Sequence, residues 1–413
     1  MAAQKLGIVA DDLTGAMDSS GYFASLGFGT VVVLDPGFSN DAAVLVITTN
    51  SRAEAPEIAR ERVRQAMRSM AGRAVYKKID STLRGNIGEE LQVAAAALAS
   101  EKVVVAPAFP AVGRTTVNGV LLVNGVPVAE TQFANDPISP VKESSIPRLL
   151  EQSMRQQVGC VSIDEIEAGP EALKQTISNK SENVVVCDVM EPSHLSYIAQ
   201  AAALAGGRWL LCGSGGLARE LHLLLTEVPK LDEMQLKEQK TGPALVVVGT
   251  RNQVAASQLL KARDELGIPV LNLEVEKLNI EEVLSGRSES ILQEADKLIG
   301  EGKGLAISST FSQYVPALKQ SMARIMAEIV AGILASHRFA GLFLSGGDIA
   351  VEACRRLQVS AIQVHGEVEA GVPAGELLGG QYQGMRVVTK AGGFGTEEAV
   401  VKSIAYLERG KMP

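Results

Sequence analysis

Short apolar runs, each ending in polar or glycine residues and each followed by a helix-patterned stretch, recur along this whole chain. In the front half they fall at residues 30–34, 44–47, 74–79, 103–106, 184–187 and 209–211. The pattern restarts at Ala244 and returns at 270–273, 305–308, 342–345, 361–364 and 386–389, with helical stretches such as 254–266 and 319–335 between them. A parallel strand can be reached only through a long crossover, so this rhythm predicts an α/β fold with mostly parallel sheets. A chain of 413 residues exceeds what one hydrophobic core ordinarily organises. The expected division is a first α/β domain at 1–226, a charged linker without apolar rhythm at 227–242, and a second α/β domain at 243–413. Residues 117–129 interrupt the alternation. There Asn124-Gly125, set between two β-rich arms, reads as a hairpin excursion placed to overhang a site at the strand ends.

Composition removes several function classes. Apolar residues at 46% and charged residues at 21% describe a globular chain of enzyme size, and no apolar stretch approaches the length that crosses a bilayer. A net charge of −8 argues against a nucleic-acid partner. Cys160, Cys187, Cys212 and Cys354 form no CxxC pair, and the four histidines are isolated, so neither zinc nor a disulfide is expected. The N-terminus runs into a strand without an apolar leader, which makes the cytoplasm the expected compartment. The sequence leaves homo-oligomerisation open.

The first apolar run stops at Asp11-Asp12 and turns through Thr14-Gly15 into a helix. That places two carboxylates at the carboxyl edge of a parallel sheet, where open α/β folds bind ligands. One of the two is also expected to cap the helix. Adjacent anions repel, so a cation such as magnesium, a basic side chain or a ligand hydroxyl is expected beside them. A second strand end carries Lys78, Asp80, Ser81 and Arg84, a set suited to a polyhydroxylated carboxylate; alone it reads equally well as an Asp80–Arg84 ion pair with Ser81 or Thr82 capping the next helix. Arg52 lies at a third such edge and could clamp a carboxylate bidentately. In the second domain, strands lead into Ser345-Gly346-Gly347-Asp348 and into Lys390-Ala391-Gly392-Gly393-Phe394-Gly395. Glycines at a strand-to-helix turn let the backbone approach a phosphate, and two such turns suggest a nucleotide. Neither is a P-loop, and no GxSxG elbow is present. Gly213 to Ala218 fits the GxGxxA dinucleotide form, but Asp232 and Glu233, the acids about twenty residues on, fall in the linker. A dehydrogenase is thus the weaker reading, and a non-catalytic acid-sugar sensor is a third.

The chain resembles the four-carbon acid sugar kinases over nearly its whole length. The resemblance rests on Ile8 to Ala16, Lys78 to Asn86, Ala106 to Pro110 followed by Gly113-Arg114-Thr115-Thr116, Phe133 to Pro137, Ser345 to Asp348, Gly366 to Pro373 and Lys390 to Gly395. It implies ATP-dependent phosphorylation of the terminal hydroxyl of threonate, erythronate or 3-oxo-tetronate, with the substrate domain first and the nucleotide domain second. Carried across, Asp11 or Asp12, Arg52 and Lys78 to Arg84 correspond to the acid-sugar site. Ser345 to Asp348 and Gly392 to Gly395 correspond to the ATP site. Many relatives have Gly-Ser-x-Ser after the strand at 244–248, where this chain has Gly249-Thr250-Arg251-Asn252; Thr250 or Asn252 would make that contact. The mechanism expected from this is that Arg52 and Arg84 hold the carboxylate, Asp12 or Asp80 accepts the hydroxyl proton, and the glycine turns hold ATP with Mg2+, whose ligands are not assigned.

Overall fold

From Leu6 to Ala10 the first strand shows no alternation of polar and apolar residues, and its burial is unbroken. A strand of that kind must be covered on both faces, as inside a parallel sheet. It is β1 (Lys5–Ala10), and it is followed by the helix Leu13–Ser25 and by β2 (Thr30–Val33). The computed structural model describes residues 5–136, 138–206, 208–225, 241–286, 288–299, 304–312, 315, 318 and 321–412. The chain divides into two compact units, Met1–Ser19 with Ser39–Pro229, and Ser20–Phe38 with Lys230–Pro413.

In the first unit β1 lies between β3 (Val44–Thr48) and β4 (Arg73–Lys78). The sheet continues from β4 through β11 (Trp209–Gly213), β5 (Lys102–Ala106) and β10 (Val184–Cys187) to β9 (Val158–Val161), with every pairing parallel. The chain thus leaves β1 to one side and comes back on the other, which makes the end of β1 a topological switch point. Ala10 pairs with both Thr48 and Lys78, so the residues that follow all three strands emerge at one edge.

The expected excursion is present as an antiparallel ribbon, β6 (Arg114–Val117), β7 (Val120–Val123) and β8 (Val126–Pro127). Asn124-Gly125 forms one of its turns, and Asn118-Gly119, which the sequence reading passed over, forms the other. All four residues have positive φ, as type I′ turns require. Asp188 accepts the amides of Asn118 and Gly119 at 2.7 and 2.8 Å and so ties the ribbon to the end of β10.

In the second unit β13 (Val270–Asn272), β14 (Leu305–Ser308), β12 (Ala244–Val248), β15 (Gly341–Ser345) and β18 (Arg386–Lys390) are parallel in that order. The strand expected at 361–364 continues as β16 (Ala361–Glu369) and returns as β17 (Val372–Leu378), both antiparallel to their neighbours. β2 lies beside β16 in this sheet, so residues 20–38, which fall within the domain expected at 1–226, are grouped with this unit. The expected linker, 227–242, lies outside the described residues except for its last two. Val246, Phe343 and Val388 of the sheet pack with Leu259 and Leu407 of the helices Gln253–Leu266 and Ala399–Arg409. No described helix is long and apolar enough to cross a membrane.

Candidate functional site

The carboxyl edge of β1, β3 and β4 gathers the acidic residues. Asp12 Oδ1 accepts the Gly15 amide at 3.0 Å and caps the helix Leu13–Ser25, while Asp11 is buried. Arg52, supplied by the turn after β3, answers the repulsion between them. Its Nε and Nη2 donate to Asp11 at 2.7 and 3.0 Å, and its Nη1 and Nη2 donate to Asp12 at 3.0 and 2.8 Å. Nη1 also lies 3.6 Å from Asp80 Oδ1. Four of the five N–H groups of a guanidinium are therefore engaged by aspartates.

Arg84 donates from Nε and Nη2 to Asp80, both at 2.9 Å, and from Nη1 to Asp136 at 3.3 Å, with the Phe133 ring 5.6 Å from its guanidinium carbon. The Thr82 amide and hydroxyl also donate to Asp80. Ser81 sits half-buried in the same turn, and neither it nor Thr82 caps the next helix, which starts at Ile87 after Asn86. Lys78 Nζ donates to the Ile79 carbonyl at 3.1 Å. A Cβ at Gly15 would lie 2.7 Å from Asp12 Oδ1 and 2.8 Å from that Nζ, so a larger residue there would push one of these two side chains aside.

These contacts set the acidities. Burial pushes Asp80 up, but Arg52 and the doubly bonded Arg84 hold it far below the usual carboxylate range. Asp11 is likewise lowered against burial by Arg52. Asp12 goes the other way, because burial together with the charges of Asp11 and Asp80 outweighs Arg52. A carboxylate as acidic as Asp80 accepts protons poorly near neutral pH, which leaves Asp12 the better placed of the two expected bases.

The sequence reading missed Asp18. Its Oδ1 is buried without a hydrogen bond, Arg219 Nη2 lies 3.8 Å away, and burial raises its carboxyl. It stands three residues beyond Gly15 on the same helical face, a spacing that could have revealed it. Asp136 and Phe133 were named only within the segment Phe133 to Pro137 that carries the resemblance and were given no place in the site, to which they come from the chain that follows the ribbon.

The second constellation gathers where β12, β15 and β18 end, again where the strand order turns about one strand, here β12. Asn252 Oδ1 caps the helix Gln253–Leu266 through the Val254 amide at 2.9 Å. A Cβ at Gly392 would lie 2.6 Å from Thr250 Oγ1, and one at Gly393 would lie 3.2 Å from Asn252 Nδ2, so the two loops touch through glycine. Gly346 has a φ of +113° and is followed by the helix Gly347–Arg356, with Asp348 exposed in its first turn. Lys390 Nζ gathers the carbonyls of Ala391, Gly392 and Phe394 at 2.8, 2.9 and 2.9 Å. Gln258 Nε2 takes those of Phe394, Gly395 and Thr396, and Glu369 accepts the Thr396 amide at 2.6 Å. Ser345 Oγ is buried with no partner.

An unpartnered hydroxyl, tightly held glycine turns and a helix N-terminus fit phosphate groups. Among the described residues no cluster of three or more His, Cys, Asp or Glu side chains is placed to hold a metal ion. Magnesium carried on phosphates needs only one or two protein carboxylates, and Asp348 is suited to that. Gly213 to Ala218 has a different job. Cβ atoms at Gly213 and Gly216 would strike the Ala106 and Ala108 carbonyls, Tyr76 Oη donates to the Ser214 carbonyl at 2.7 Å, and the helix that follows is only Gly215–Glu220. These glycines allow close packing of the chain on itself.

Family models for a sugar-binding N-terminal domain and a nucleotide-binding C-terminal domain match residues 6–221 and 245–400. A D-threonate kinase of Bordetella bronchiseptica is 34% identical over 98% of this chain and 97% of its own. The chain belongs to the four-carbon acid sugar kinase family. A D-erythronate kinase of Heliobacterium modesticaldum is 31% identical over 97% of this chain and 96% of its own. The fold of this kinase family member is also that of a Salmonella typhimurium LT2 protein described as a putative tRNA synthase, with a TM-score of 0.81 at 23% identity over 97% and 98% of the two chains.

Proposed function

We propose that the chain is a cytoplasmic, ATP-dependent kinase that phosphorylates the terminal C4 hydroxyl of threonate, erythronate or 3-oxo-tetronate. The observation that carries this reading is the pair of constellations at topological switch points, one rich in carboxylates and guanidinium groups, the other built from glycine turns that leave Ser345 Oγ unpartnered. The relatives named above act on threonate and erythronate.

Asp11, Arg52, Lys78, Ser81 and Arg84 form the acid-sugar site. A substrate carboxylate can clamp Arg52 bidentately only by displacing Asp11 or Asp12, so Arg52 chiefly holds the aspartates in place. Thr250, Asn252, Ser345 to Asp348 and Gly392 to Gly395 hold ATP. Bound Mg2+-ATP supplies the phosphoryl group and offsets the charge that builds on its oxygens. The C4 hydroxyl forms the new O–P bond as the bond to ADP breaks, and its proton passes to Asp12. Asp80 keeps Arg84 in place.

A coupled ADP-release assay across the tetronates tests this. ADP release is expected to depend on one of these acids, and Asp12→Asn is expected to lower kcat by about 10²–10⁴-fold. ADP release that no tetronate stimulates would sink the reading.

A further inference from the structure

Gly113-Arg114-Thr115-Thr116, at the start of β6, has no part in the site as described so far. Arg114 and Phe109 exchange both backbone hydrogen bonds, at 2.9 and 3.1 Å, and residues opposed in such a pair send their side chains to the same face. The Phe109 ring faces the Arg219 guanidinium at 5.5 Å. It also lies close to Asp18, because a Cβ at Gly215 would be 3.1 Å from Phe109 Cε1 and 2.9 Å from Asp18 Oδ2. Asp80 and Arg84 act electrostatically on Arg114 as well. Arg114 therefore stands on the Phe109 side of the ribbon, within electrostatic reach of Asp80 and Arg84.

The other cations facing the Asp11, Asp12 and Asp80 cluster have partners. Arg52 and Arg84 bind aspartates, Lys77 pairs with Glu90 at 2.7 Å, and Lys78 donates to a carbonyl. Arg114 differs from Arg52, Arg84 and Lys77 and is like Lys78 in having a carbonyl as its partner, but it alone of the two carries a guanidinium fork. Its Nη1 donates to the Val112 carbonyl, its Nε is buried with no partner, and among the described residues it makes no ion pair. A half-buried guanidinium without a counter-ion is unfavourable and is suited to receive an anion. Before phosphorylation, a four-carbon sugar acid carries a single full negative charge, its carboxylate, and a guanidinium fork matches that group bidentately.

We propose that Arg114 receives the substrate carboxylate and so makes the enzyme prefer the acid to a neutral analogue of the same length. This rests on the kinase reading above. The test compares the active tetronate with its tetronamide, in which a neutral carboxamide replaces the carboxylate, by kcat/KM for wild type, Arg114→Gln and Arg114→Lys. Wild type is expected to favour the acid. Arg114→Gln is expected to lower kcat/KM for the acid by about 10- to 100-fold, mainly through KM, and to leave the tetronamide and the KM for ATP nearly unchanged. Arg114→Lys, which keeps the charge but loses the fork, is expected to fall between them and carries the comparison where Arg114→Gln does not fold. An unchanged KM for the acid, or an equal loss for acid and amide, overturns the proposal while wild-type turnover leaves the kinase reading standing. Wild type inactive on every tetronate overturns both.

Discussion

Lys77 and Glu90 are both shut away from solvent, with Nζ 2.7 Å from Oε2, and Glu90 also takes the Ser51 hydroxyl at 2.6 Å. Burial pushes Glu90 up and would push Lys77 down, but the charge of Glu90 holds the Lys77 proton in place. Removing one partner strands a charge in the interior, whereas replacing both with apolar side chains strands none. Lys77→Met is therefore expected to lower the unfolding free energy by about 3–5 kcal/mol, and Lys77→Met with Glu90→Leu by clearly less, as read from urea titrations. A double variant as unstable as the single one would show that the pair is not coupled. Ser51 immediately precedes Arg52, so the single variant is also expected to loosen the guanidinium that binds Asp11 and Asp12.

The loop after β18 depends on one ammonium group whose three protons meet three carbonyls. Burial lowers the Lys390 pKa from 10.5 to about 8. As pH rises past about 8, Lys390 loses one of its three ammonium protons while an ordinary lysine stays charged, and one loop carbonyl loses its donor. ATP affinity measured by calorimetry is expected to weaken from pH 7 to about 9.5, and Lys390→Met to bind weakly with little pH dependence across that range. Stability moves the opposite way, because between about 8 and 10.5 the unfolded chain binds the proton that the folded chain has lost, so folding gains as pH rises. An affinity that does not vary with pH in the wild type would refute this role. At this scale much of the site is legible in sequence. An apolar run ending in Asp11-Asp12, or in Ser345-Gly346-Gly347, is a local pattern, and the parallel sheet turns local strand ends into one edge. Arg114, Asp136 and Phe133 are not legible in that way, because the ribbon and the turn after it approach Asp80 and Arg84 from a distance in sequence. Nor does any local pattern announce that β16 folds back as β17 through Gly371, whose φ of +77° makes the turn.

On the scale of the whole chain, the fold class and most strands follow from the sequence, β9 and β17 excepted, but the sheet that each strand joins does not. β2 is four buried residues, Thr30–Val33, with nothing in their pattern to separate them from β3. They nonetheless pair with residues 361–364 of β16. A fragment beginning at residue 241 lacks β2 and leaves that edge open, and open edges recruit other chains. Size-exclusion chromatography is expected to find the fragment aggregated, and a peptide of residues 20–38 added during refolding to reduce the aggregation; a monodisperse fragment without the peptide would contradict this. One strand of the second unit's sheet is thus encoded far ahead of the rest of it. For the same reason the halves cannot be traded as separate cassettes by recombination, since a gene cut at the obvious seam would break a sheet far from the cut.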